Sequence, residues 1–155
     1  MKNKIGLLFF CAYLLQYWMQ IDWGVIDKWQ SIETYKMWSG FALFLVILIQ
    51  WGQSLIRLVF KPFEKRKNRI LNFHVWTGVF SPVVYFFHST APSHGLLFFL
   101  FCTFFANLFI GSLPMNKTKV NKPVLYFLLL LGHIICSALI LVLGTVHIWL
   151  VFYYE

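Results

Sequence analysis

The chain has 155 residues, of which 60% are hydrophobic, 21% aromatic and only 12% charged, whereas soluble domains carry roughly 25% charged residues. That composition excludes a soluble globular enzyme, and the apolar segments use up the length, so any flavin, nucleotide or large substrate domain is expected on another polypeptide. The formal net charge of +8 does not indicate nucleic acid. The basic residues collect in two short loops and at the N-terminus, and the aromatics lie in apolar runs rather than on a solvated basic face.

Lys2 and Lys4 precede an apolar run over residues 5–21. No small-x-small cleavage site follows it, and the LLFF before Cys11 lacks the small side chains of a lipoprotein signal, so a retained first transmembrane helix is expected. Residues 22–36 are the most polar long segment. Trp23, Ile26 and Trp29 recur there at helical spacing, which suits a short amphipathic piece lying at the membrane interface. Residues 38–60 are long enough for a second span, since about 20 residues cross about 30 Å of hydrocarbon. Gln50 and Gln53 near its end need partners in lipid and are expected to face the bundle.

The basic loop 61–69 (KPFEKRKNR) leads to a third span at 70–88, in which Pro82 should introduce a kink. A tight link at 89–93 and His94 precede a fourth span at 96–113. A second basic loop, 114–122 (PMNKTKVNK), precedes Pro123, which opens a fifth and longest span at 123–153. Cys11, Cys102 and Cys136 sit singly in apolar segments without CxxC spacing, so neither a disulfide framework nor a zinc site is expected, and Cys136 reads as a buried structural thiol. The fold class expected is an all-α integral membrane protein, a five-transmembrane-helix bundle forming a single membrane domain over 1–155.

Five spans place eleven of the 13 basic residues on one side: Lys2, Lys4, Arg57, Lys61, Lys65, Arg66, Lys67, Arg69, Lys117, Lys119 and Lys122. Only Lys28 and Lys36 fall on the other. The positive-inside rule then puts the N-terminus in the cytoplasm and the C-terminus outside. The third and fifth spans both leave cytoplasmic loops and run outward in parallel.

Those two spans each carry a pair of histidines with thirteen residues between them, His74 and His88 in HVWTGVFSPVVYFFH and His133 and His147 in HIICSALILVLGTVH. Fourteen helical steps return the second imidazole to within about 40° of the first, about 21 Å further along the axis. On parallel helices His74 can face His133 on the cytoplasmic side and His88 can face His147 on the outer side. This gives two stacked sites, each with two neutral imidazoles, the axial ligands of a low-spin haem b. Gly78 and Ser81 on one helix, and Ser137 and Gly144 on the other, are small along the same face, where a macrocycle would approach the backbone. Helix packing favours small residues too, but packing alone would leave four buried imidazoles to be satisfied. His74 lies five residues after Arg69 and His133 eleven after Lys122, a depth mismatch that a protruding start to the last helix would absorb.

The stretch NRILNFHVWTGVFSPVVYFFHS resembles the first haem-binding helix of the ferric-reductase-like transmembrane superfamily of di-haem cytochromes b, and the resemblance covers roughly residues 36–150. It implies two haem b groups with His74, His88, His133 and His147 as iron ligands, in a multi-pass protein of the bacterial cytoplasmic membrane. It further implies electron relay between a quinol or cytoplasmic reductase and a redox partner on the other face. The chain has one span fewer than many relatives and no attached flavin–nicotinamide domain, so the implied role is that of an electron-transfer subunit among other redox subunits. Arg69 and Lys122 are candidates to pair with haem propionates on the inner side, and His94 to face water or a propionate. A histidine-lined metal or proton transporter and a non-catalytic assembly subunit are the alternative readings of the histidines.

Overall fold

A computed structural model describes residues 2–59, 67–91, 94–113 and 123–154. The basic residues at 61, 65, 66, 117, 119 and 122 lie outside the described residues, as do positions 92–93 of the tight link. All regular secondary structure among the described residues is helical: α1 (Lys2–Trp18), α2 (Val25–Gln30), α3 (Glu33–Val59), α4 (Lys67–His88), α5 (Leu96–Ser112) and α6 (Pro123–Tyr154). Three of these, α3, α4 and α6, are long and apolar enough to cross a membrane. α1 and α5 are apolar helices of 17 residues each, the lower end of what spans hydrocarbon.

The chain divides into two compact units, Met1–Thr90 and Ala91–Glu155. In the first, α1 runs parallel to α4. Phe9 stacks at a tilt on Phe80 with ring centroids 6.0 Å apart, and Tyr13 meets Tyr85 edge-on at 5.4 Å. Gly6 allows the approach, since a Cβ there would come within 3.3 Å of Val79 Cγ2. α1 stops at Trp18, before the end of the apolar run, because Gln20 turns into the left-handed region (φ 50) and the Ile21 amide donates back to the Gln16 carbonyl. That is the closure of a Schellman turn.

α3 runs antiparallel to α4, with Gly40 against His88 and, ten residues on in α3 and ten back in α4, Gln50 against Gly78. The face of α3 that does this carries Ser39, Leu43, Gln50 and Gln53 at steps of three, four and seven, the helical period of a packed stripe. Gln53 is only 7% exposed, so both glutamines do turn inward. α3 starts at Glu33, five residues ahead of the apolar run, since a soluble first turn extends the helix beyond the part that lipid selects.

In the second unit α5 packs on α6. Phe101, Thr103, Phe104 and Phe105 are buried in α5, and Ile140 and Gly144 in α6. The last turn of α5 meets α6 at Gly132 and His133, where Ile110 lies 3.6 Å from a Cβ built on Gly132. About 15 Å of α6 therefore precedes this contact. At 32 residues, α6 is about 48 Å long, well over the hydrocarbon thickness of about 30 Å.

Candidate cofactor-binding histidines

α4 is continuous from His74 to His88 and α6 from His133 to His147, so the fourteen-step geometry holds in both. All four imidazoles are half-buried. The pairs fall one in each unit.

Between the α4 histidines the helix passes through Pro82. Proline has no amide hydrogen, so the Gly78 carbonyl four residues back loses its helical donor. The Ser81 hydroxyl replaces it at 2.7 Å, the repair by which serine lets a membrane helix keep a proline. Gly78 also takes the Gln50 side chain, whose Nε2 would lie 3.3 Å from a Cβ at that position. Gly78 and Ser81 thus have a use inside α4 and against α3. On α6, Gly144 is buried and Ser137 half-buried.

His88 and His133 are held in the same way. A Cβ at Gly40 would stand 2.8 Å from His88 Cε1, and one at Gly111 would stand 2.9 Å from His133 Cε1, closer than side chains pack. Each ring therefore lies in a space that only glycine leaves. Nδ1 of His133 is 3.2 Å from the Asn107 carbonyl oxygen. A carbonyl can only accept, so Nδ1 carries the hydrogen and the lone pair of this neutral imidazole is on Nε2. Nδ1 of His88 is 3.2 Å from Ser39 Oγ. The Ser39 hydroxyl also reaches the Lys36 carbonyl at 3.1 Å; when it donates there, its oxygen accepts from His88, and here too Nε2 bears the lone pair. Tying back one ring nitrogen to present the other is how proteins prepare histidine for a metal. The donor chemistry of His88 and His133 fits axial ligation of haem iron.

The chain around His88 is capped by side chains from three other helices and the turn before α2. A helix end leaves its last carbonyls without amide donors. Gln30 Nε2 donates to the Phe86 and Phe87 carbonyls at 2.9 and 3.2 Å, and the Tyr35 hydroxyl to that of Phe87 at 3.0 Å. Beyond the helix, Tyr13 donates to the Ser89 carbonyl at 3.1 Å and Gln16 Nε2 to that of Thr90 at 2.7 Å. Trp23 packs edge-on against Phe86 at 5.3 Å, and its Nε1 donates to Gln16 Oε1 at 3.0 Å. The polar segment 22–36 therefore braces the end of α4 that carries His88.

The other candidates are quickly placed. His94 is exposed, next to Gly95 at φ 63. Arg69 is exposed in the first turn of α4, and the propionate role considered for Lys122 lies outside the described residues. The three cysteines are free thiols, Cys11 and Cys102 exposed and Cys136 half-buried. Among the described residues no three His, Cys, Asp or Glu side chains gather as a metal-ion cluster would require.

Compared with known protein families, curated proteins and solved structures, the chain finds no match. Its own residues therefore carry the functional reading. Sequence periodicity had singled out the histidines, but Ser39, Gly40, Asn107, Gly111 and Gln30 emerge only from how the helices pair.

Proposed function

We propose that the chain is a di-haem b-type cytochrome, the membrane electron-transfer subunit of a redox complex. In this reading five spans, made by α1 and α3 to α6, cross a bacterial cytoplasmic membrane with the N-terminus inside and the C-terminus outside. His74 with His133 holds an inner haem and His88 with His147 an outer one, in the manner of the ferric-reductase-like superfamily. The observation that carries the proposal is the repeated fourteen-residue histidine spacing on two unbroken helices. The ring-nitrogen assignments at His88 and His133 support it, since a hydrogen on Nδ1 leaves the lone pair that iron takes on Nε2. Bound haem would supply a ferric/ferrous couple at each level, carrying electrons between a quinol or cytoplasmic reductase and a redox partner on the far side. The chain's own part is to supply the imidazoles, fix their rotation, and hold them dry in an apolar bundle, which tunes the potential. Two histidines per iron leave no open position, so relay rather than substrate chemistry at the metal is the function that follows.

The protein purified in mild detergent should show a reduced-minus-oxidised spectrum of b-type haem, with two haems per chain by pyridine haemochrome assay. A protein that carries none after haem-supplemented expression is not this cytochrome, and zinc or proton binding at the histidines then becomes the reading to test. Reporter fusions check the orientation independently: alkaline phosphatase fused after Glu155 is expected to be active and one fused within 114–122 inactive. The reverse pattern refutes the inside–outside assignment.

A further inference from the structure

We propose that Gly40 and Gly111 are positioning residues, each a seat for one imidazole of one haem, acting with Ser39 and the Asn107 carbonyl to set the rotation of His88 and His133. The inference rests on the di-haem reading and assigns it residues that periodicity does not. In both units the atom nearest a glycine Cβ would be Cε1, then Nδ1, then Nε2: 2.8, 3.3 and 3.5 Å for His88, and 2.9, 3.3 and 3.8 Å for His133. The same ring edge faces the glycine each time. An oxygen then takes the Nδ1 hydrogen on that edge. Turning either ring by 180° about its Cβ–Cγ bond would break the hydrogen bond and swing a different edge onto the seat, so rotation and tautomer are fixed together. Two separate units built from different helices arrive at this arrangement, which argues for a shared device rather than an accident of packing.

The chemistry of such a seat is specific. An acceptor on Nδ1–H makes the imidazole a stronger electron donor at Nε2, which stabilises ferric over ferrous iron and lowers the midpoint potential. Ring rotation sets the angle between the ligand planes, which low-spin ferric haem reports in its electron paramagnetic resonance. His88 belongs to the outer haem and His133 to the inner one, so each haem has one seated ligand and the two seats are separable.

The test uses the full-length holoprotein in detergent, with redox titration and low-spin paramagnetic resonance of Gly40→Ala, Gly111→Ala and Ser39→Ala. Gly40→Ala is expected to move the signal and midpoint of one haem and Gly111→Ala those of the other. Ser39→Ala, which leaves the packing intact should a glycine variant fail to fold, is expected to raise the midpoint of the haem that Gly40→Ala affects, and Ser39→Thr to restore it. Variants that leave both haems unchanged, or that shift both equally, overturn the seats. If the wild-type protein binds no haem, the di-haem reading fails by itself. Nitrogen-15 resonance of the histidine rings then still decides the seats: hydrogen on Nδ1 of His88 and His133 sustains them as packing devices, and hydrogen on Nε2 refutes them.

Discussion

Replacing His74 and His133 together with alanine should leave one haem per chain, whereas replacing His74 and His88 together should leave none. The contrast follows from which imidazoles share an iron. In the proposed pairing, once His74 is gone the inner iron would have lost half its protein ligation, and removing His133 as well would cost nothing further in haem count. Groups that share a partner are non-additive in this way, while groups on independent partners add. On the same proposal His88 serves the other iron, so its loss would remove the second haem. The six double variants, four that take one histidine from each helix and two that take both from one helix, therefore form a complete assignment by haem stoichiometry and spectrum. Loss of both haems from His74→Ala/His133→Ala would mean that these two histidines serve different irons, and the pairing proposed above would be wrong.

The second large effect is expected at Gln30. Its amide donates to two carbonyls at the end of α4 and accepts from the Thr90 amide (3.2 Å) and hydroxyl (3.0 Å). Gln30→Ala removes these bonds and should cost about 1–2 kcal/mol, a few net hydrogen bonds at a half-buried site. Gln30→Glu should cost more, about 2–4 kcal/mol, because a carboxylate cannot donate and would face the negative end of the α4 dipole. Asp27, whose carboxylate lies 3.2 Å from the same Thr90 hydroxyl, adds a like charge close by. Denaturant titration in detergent measures the difference, and haem retention under mild denaturation locates it: the outer haem should be lost before the inner. Equal stability of the Glu and Ala variants would show that the amide hydrogens do not brace the helix end.

Helix positions were largely legible because lipid selects for them. The apolar runs at 70–88, 96–113 and 123–153 become Lys67–His88, Leu96–Ser112 and Pro123–Tyr154, bounded by charge clusters and by Pro123. Boundaries slip where lipid is not the judge, as at Gln20, where a left-handed turn ends α1 early, and at Glu33, where a polar turn starts α3 early. The inward turn of Gln53 was legible from the cost of an amide in lipid. The role of Ser81 was present in the sequence but hidden by the histidine stripe: a serine just before a proline, three residues after glycine, marks a carbonyl in need of a donor. Nothing local marks Gly40 or Gly111. What makes them matter is the register of α3 on α4 and of α5 on α6, a property of pairs of helices that one helix's pattern does not carry.

The cap on α4 also has an order in time. Tyr13, Gln16, Asp27, Gln30 and Tyr35 all precede the segment they hold, and the groups they receive lie at positions 86–90. During synthesis, which proceeds from the N-terminus at about 5–20 residues per second, every side chain of the cap is made before the groups it bonds. Thr90, the last residue of the first unit, closes the network as soon as it leaves the ribosome and inserts. A nascent chain stalled past that point should already resist protease across its first unit, with two of its five histidines, His133 and His147, still to be translated.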